Sequence, residues 1–525
     1  GAAEVFWKIT STEDNHGRRR LLVRNYLGTD HKGRLQKVSK ADRADQLRAD
    51  RLKTEHGMGE GKGLWQELMA ASALRLPTLT KEESEVGEHK GKEEETNTPV
   101  GQAGNVAAGA ASTQQQTAEE QHENVPLLSL PCDLIMPMLE LEATIELYRT
   151  SIWVIVGSDW VLAGSDGKTL TDEDQLYKRE LLAPQRIRHW DLSELRDLAT
   201  RRYQMQYCAL EFFLSDGTSC FVSLRTGKTL QQLCRTIKRL MPIDFAPLLY
   251  LSPTERLRRT GATEAWLKRR ITTFEYLMIV NKMAGRTCID LGQYPIFPWV
   301  LQDYESDNID LSNPKSYRDL TKPMGAQTEE REQLFRNKYD RWDPQVAGDM
   351  PVAYGPAFHY FMHYSSPAAV ISYLVRVEPF TSYQVDLQAN QFDKPDRQIQ
   401  SIAQTYWGCA FDASGDADVK ELIPEYFYNP DVLVNTNRID FGTTSKNVRL
   451  GDIVLPPWAN GSPEEFIRIQ RAALESEHVS ANLHHWIDLI FGIKQRPPFL
   501  DDGSNLAVDA CNVFQHHFYE GAIDM

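Results

Sequence analysis

The sequence predicts an α+β chain of several domains. A small antiparallel barrel or sandwich closed by a helix comes first, followed by a larger half where helices accompany extended apolar segments. Three observations predict it. From Leu127 to about Pro242, apolar residues alternate as in strands and then switch to helical spacing. After about residue 263, aromatics and prolines become dense and the alternation stops. Before both, residues 78–126 ("KEESEVGEHKGKEEE", "GQAGNVAAGAASTQQQTAEEQ") carry too little apolar surface to offset their ordering entropy. They read as a disordered insertion.

In the first half, "LELEATIELY" alternates, and "SIWVIV" resumes after a break at Arg149–Thr150. "YCALEFFL", a turn at Ser215–Asp216–Gly217 and "SCFVSL" read as a hairpin. In "TGKTLQQLCRTIKRLM", Leu230, Leu233, Ile237 and Leu240 recur at spacings of three or four, which places them on one helical stripe. That helix closes the barrel. "LSPTERLRRTGATE" (251–264) is polar and reads as a linker.

Beyond it, "YPIFPWVLQDYES" has two prolines in five residues, which excludes a regular helix or a central strand. Being strongly apolar, it is expected to be buried and extended, with its backbone satisfied irregularly. "SPEEFIRIQRAALESE" starts a helix with Ser462 as N-cap, Pro463 at the first turn and Glu465 completing a capping box. The next helix aligns Val479, Leu483, Trp486, Ile487 and Ile490 on one face, and Gly492 supplies its stop.

Composition narrows the function. A chain of 525 residues, 41% hydrophobic, can bury substantial cores. Its net charge of -15 argues against nucleic-acid binding driven by overall charge. Seven scattered cysteines without a C-x-x-C pair fit a reducing compartment better than a disulfide or zinc scaffold. No apolar run approaches the ~18–20 residues of a membrane span. No secretory signal opens the chain, and a start at Gly1 suggests a fragment. Residues 17–53 hold 12 Lys/Arg against 4 Asp/Glu, led by "GRRRLLVRN". This run is either a solvated basic stretch or a surface for anionic lipid or an acidic partner, with Arg18, Arg19, Arg20 and Arg24 as the lipid-facing candidates.

Reactive-looking residues invite a chemical reading that their context weakens. His484 and His485 in "HHWIDLIFGIKQR" are adjacent on a helix and point about 100° apart, so sharing a metal is awkward. Asp488 lies one turn from His484, within reach for a local hydrogen bond. His359 and His363 have the spacing of a zinc-protease helix, but Tyr360 stands where that motif needs its glutamate. "GMGEGKG" lacks phosphate-loop spacing, and no nucleophile elbow occurs. No metal, cofactor or catalytic residue is expected.

From "FEYLMIVNKMAGRT" through "YPIFPWVLQDYES", "RDLTKPMGAQ", "HYFMHYSSPAAVISYLVRVEPF", "DVKELIPEYFY" and "LPPWANGSPEEFIRIQRAALESEHVS" to "LHHWIDLIFGIKQR", the second half resembles a BEACH domain (named for beige and Chediak–Higashi). "LSELRDLATRRYQMQYCALEFFL" resembles the pleckstrin-homology-like (PH-like) domain that precedes BEACH in neurobeachin-type proteins.

The resemblance implies a PH-like barrel packed in cis on a mostly helical BEACH domain with an irregular extended core, and a WD-repeat propeller beyond this fragment. The expected organisation is a basic N-terminal segment (1–77) partly associated with the PH-like domain, the insertion (78–126), the PH-like domain (127–243), a linker (244–262) and BEACH (263–525). The implied role is a non-enzymatic, cytoplasmic scaffold peripheral to intracellular membranes, which binds trafficking proteins in a groove between the domains. Vesicle transport, lysosomes and autophagy are the settings.

Candidate groove residues are Arg201, Arg202, Glu211, Trp266, Arg376 and Glu378; candidate BEACH core residues are Trp299, His363, Pro379, Trp458, His484, Trp486 and Asp488. For Arg376, Glu378, Arg318, Asp319, Lys420 and Glu421, internal ion pairs compete with groove contacts, because charges among aromatics need partners. A single Arg149 in the break before "SIW" argues against specific phosphoinositide binding. A weak anionic membrane contact remains the alternative partner.

Overall fold

The computed structural model describes residues 6–14, 17–20, 22–25, 125–137, 139–157, 187–240, 252–342, 356–388, 392–412, 418–496 and 505–519. "GMGEGKG", residues 26–53 of the basic run and nearly all of the low-complexity stretch lie outside them.

A two-stranded ribbon, β1 (Phe6–Ile9) and β2 (Leu22–Asn25), precedes the first domain. That domain is a seven-stranded antiparallel sheet in the order β6-β5-β4-β3-β9-β8-β7. Its strands are β3 (Leu128–Met136), β4 (Leu139–Leu147), β5 (Ser151–Val156), β6 (Ile187–Asp191), β7 (Leu195–Tyr203), β8 (Gln206–Leu214) and β9 (Ser219–Ser223). The curled half-barrel followed by a helical region bears out the α+β expectation.

Helix α1 (Gly227–Leu240) closes the half-barrel, burying Leu230, Leu233, Cys234 and Ile237 against it. β5 alternates strictly in burial, as "SIWVIV" requires. The first hairpin of the sheet turns between Met136 and Leu139, one hairpin earlier than the Arg149 break, and its four residues include no lysine or arginine.

The stretch read as a linker is helical from α2 (Pro253–Thr260) into α3 (Ala262–Leu267). Ser252 caps α2 by accepting from the Glu255 N–H, with Pro253 in the first turn. Its eight residues offer one large aliphatic side chain, Leu257, which packs on the helical core, while Arg256 contacts the half-barrel, so no apolar stripe betrays the helix.

Helix α4 (Thr273–Met283) is buried nearly all round. Beyond it, "YPIFPWVL" is extended and buried, as expected. Tyr294, Phe297, Trp299, Val300 and Leu301 are all fully enclosed, with only isolated bridges Phe297–Leu422 and Leu301–Tyr317. The rest of the shell is α5 (Glu329–Asp340), α6 (Pro367–Leu374), α7 (Phe380–Leu387), α8 (Ile402–Ala410), α9 (Pro463–Leu474) and α10 (Glu477–Ile490).

Segments without a sheet must satisfy their backbone by other means, and buried polar side chains do so. Asn281 of α4 accepts from the Ile296 N–H and donates to the Leu277 and Ile296 carbonyls. Arg331 donates to the carbonyls of Gly325, Gly408, Asp412 and Asp418. Glu421 is a hub. It accepts from Arg318 at 2.7 and 2.9 Å, from the Trp299 N–H and from the Trp486 indole.

Two local details differ from expectation. Ser462 caps α9, but Glu465 turns to Arg468 instead of closing the capping box. Gly492 follows α10 with no positive φ; it is small because a Cβ there would sit 2.8 Å from Asp488 Cα.

Removing one side of the Arg318–Glu421 pair leaves a buried charge alone. Arg318→Met is expected to lower the unfolding free energy by about 3–5 kcal/mol. Denaturant melts check this, and a loss under 1 kcal/mol would contradict the hub.

Candidate interdomain site

The site follows from the two-residue period of β7 and β8. Leu198, Leu210, Phe212 and Leu214 face the half-barrel core. The intervening Asp197, Ala199, Arg201, Ala209, Glu211 and Phe213 must face the other way. That outer face is also covered: Ala199 and Ala209 are buried, and Ile135, Ala209 and Phe221 pack with Tyr203 and with Ile289 of the helical domain.

Charges at this seam are paired across the domains. Arg201 Nε donates to Glu211 Oε2 at 2.7 Å, and Arg201 Nη1 to the Lys282 carbonyl at 2.8 Å. Thr287 donates to the second Glu211 oxygen at 2.7 Å. Lys282 Nζ sits 2.8 Å from Asp197 and 3.7 Å from the Phe213 ring centroid. Arg256 adds a 3.4 Å contact to Asp197.

Burial opposes the charge on Asp197, but Lys282 and Arg256 outweigh it and hold its carboxyl below the usual range. Burial draws the Lys282 ammonium down, against the pull of Asp197. At the rim, the Glu13 N–H donates to the Gly217 carbonyl in the β8–β9 turn. The Glu13 carboxyl is raised to about 7, first by burial; Arg19 and Lys282 oppose this, and Glu211 and Glu425 add to it.

The candidate groove residues therefore divide. Arg201 and Glu211 come together, but inside the seam, at 3% and 0% exposure, so they cannot line an open groove. Arg202 lies at the rim and donates to the Met205 carbonyl at the hairpin tip. Trp266 lies in the helical core, stacked on Tyr276 with its indole bonded to Thr273.

Arg376 and Glu378 occupy a turn rather than a strand. Arg376 donates to the Gly451 and Ile399 carbonyls against the Phe441 ring, and burial draws its pKa down to about 10. The Glu378 carboxylate accepts from Ser382.

Among the core candidates, Trp299, Trp458 and Trp486 are buried. His363 and Pro379 are partly buried, and so is Asp488. His484 is exposed, because the buried stripe of α10 runs through Leu483 and Trp486 and leaves it outside. Its ring nevertheless lies 3.9 Å from that of His485, closer than the helical angle suggested. No ion pair joins His484 to Asp488 among the described residues.

His359 and His363 are on irregular chain and are held separately. His359 Nδ1 accepts from the Val513 N–H, and His363 Nδ1 lies 2.7 Å from the Ser365 carbonyl and 3.1 Å from the Ser365 nitrogen. Burial pushes both down to about 3. Among the described residues no group of three or more His, Cys, Asp or Glu could hold a metal.

Of the lipid-facing candidates, Arg20 is exposed and Arg18 pairs with Asp14. Arg19 faces inward at 6% exposure and contacts Glu425 at 2.7 Å, which corrects its assignment. The Arg24 side chain lies outside what is described. No described helix is long and apolar enough to cross a membrane.

Sequence reasoning missed Asp197, Lys282, Arg256, Thr287 and Glu13. A signal existed for one of them: Lys282 is the single cation in the helix "TFEYLMIVNKM".

A half-barrel with a closing helix, joined through buried charges to a helical domain with an extended core, defines a two-domain PH–BEACH unit. Comparison with family models agrees. The Beige/BEACH domain matches residues 264–525, and the PH domain associated with Beige/BEACH matches residues 132–238. The chain belongs to the BEACH-domain proteins.

Replacing Glu211 by Gln or Arg201 by Met strands the partner charge in the seam. Each change is expected to destabilise the protein by about 3–5 kcal/mol, read as a lower midpoint in a denaturant melt. Wild-type melting would contradict the seam.

Burial of His359 makes stability depend on pH. The folded pKa of His359 is below its unfolded value, so its contribution is present above about 6.5 and is lost as pH falls towards 3. Between pH 7 and 5 it should remove about 2 kcal/mol of stability, and His359→Asn should flatten that part of the profile.

Proposed function

We propose that this chain is a neurobeachin-type, non-enzymatic scaffold module that captures protein partners of the trafficking machinery on the cytoplasmic side of intracellular membranes. The observation that carries the reading is the charge-paired seam. It fixes two domains side by side, so a partner meets one composite surface at its rim. There the β7–β8 hairpin tip presents Tyr207 at 61% and Met205 at 46% exposure beside Arg202. Aromatic, methionine and arginine side chains are the types that anchor protein interfaces. Vesicle, lysosomal and autophagic settings follow from the family reading.

The test is affinity capture with the full chain against an Arg202→Glu/Tyr207→Ala variant, alongside flotation on vesicles containing phosphatidylserine. Loss of at least tenfold of the captured partners at unchanged melting temperature supports the rim. Equal capture, or binding only to anionic vesicles, overturns it.

A further inference from the structure

The described residues between 6 and 25 form a strap that touches both domains. At one end, the Trp7 N–H donates to Asn437 Oδ1 and the Asn437 amide donates back to the Trp7 carbonyl, each at 2.7 Å. The Ile9 N–H donates to the Glu378 carbonyl, and the Ile9 side chain enters the main core. Glu13 reaches the half-barrel at Gly217. The chain then turns back, and Arg19 enters a slot.

Every wall of that slot belongs to the helical domain. Glu425 is fully buried on the turn Pro424–Phe427 and accepts from Arg19 Nη2 at 2.7 Å and from the Tyr294 hydroxyl at 2.7 Å. Arg19 Nη2 also contacts the Tyr294 hydroxyl. The Arg19 N–H donates to the Tyr428 hydroxyl at 3.1 Å. The guanidinium carbon lies 5.6 Å from the Tyr294 ring centroid and 6.0 Å from that of Phe380, both within cation–π range.

A carboxylate this deeply enclosed needs a cation, and an arginine is the side chain whose planar fork fits a carboxylate between aromatic rings. The fit is only half used. Arg19 Nε and Glu425 Oε2, both buried, have no hydrogen-bond partner, whereas a forked pair would employ two donors and two acceptors. The strap is also separable in sequence: β2 ends at Asn25, and the next described element, β3, starts at Leu128.

We infer that the slot formed by Glu425, Tyr294, Tyr428 and Phe380 is a guanidinium-binding site that holds residues 6–25 as a tethered ligand and accepts an arginine-bearing extended peptide in its place. The strap is then a built-in competitor: a segment that presents its arginine as a full fork displaces it. This goes beyond the rim proposed above and does not depend on it.

The experiment uses the full chain with a protease site inserted between residues 78 and 124. After cleavage, the strap should co-elute with the body in gel filtration at micromolar concentration. A fluorescent peptide of residues 6–25 should then exchange into the slot, with an Arg19→Ala peptide at least tenfold weaker and Arg19→Lys in between. In the uncut chain, Arg19→Ala should raise the affinity for the native peptide at least tenfold over wild type, because it leaves the Glu425 carboxylate without its cation and the slot empty for the peptide's arginine. Equal binding of the native and alanine peptides overturns the inference. So does failure of the native peptide to bind either chain, or failure of the Arg19→Ala chain to fold.

Discussion

The larger domain depends on satisfying the backbone of buried, extended chain without a sheet. Glu421 shows how. One carboxylate accepts from the Arg318 guanidinium, the Trp299 N–H and the Trp486 indole, and so joins an extended segment, a turn and α10 at one point. Arg331 does the converse by gathering four carbonyls from three segments. These groups are costly to bury, and their neighbours offset that cost with the hydrogen bonds just named. The tight approach this demands also explains Gly325, where a Cβ would meet the Tyr360 ring at 2.1 Å.

The seam between the domains uses the same chemistry at a different place. Arg201, Glu211, Lys282, Asp197, Arg256 and Thr287 form a chain of pairs flanked by Phe213, Phe221 and Ile289. Such pairs fix register more than they add stability, because a mispaired charge in a dry interface is heavily penalised. The result is a defined mutual placement of half-barrel and helical domain, which gives a scaffold a single surface to present. The slot for Arg19 extends the pattern to a third segment.

How far the sequence reaches depends on whether a feature is periodic. The β8–β9 hairpin, α1, α9 and α10 declare themselves through local spacing and caps, because the side chains that make them lie within a few residues of each other. "YPIFPWVL" announces burial and irregularity together, because proline excludes regular pairing in an apolar run. α2 escapes because Leu257 is its one large aliphatic residue and its contact with the half-barrel is an arginine. His484 is misplaced because a motif gives a residue's identity but not its face.

The sequence by itself determined the two-domain α+β plan, the helix that closes the half-barrel and the buried extended run, all set by apolar period and by proline and glycine chemistry. Only the tertiary structure decided the charges. Whether Arg19, Arg201, Arg376 or Glu211 faces water or the interior depends on partners far away in sequence: Arg19 meets Glu425, and Glu211 meets Thr287. A local pattern cannot hold that information, because the free energy of a buried charge depends on the groups that the fold brings around it.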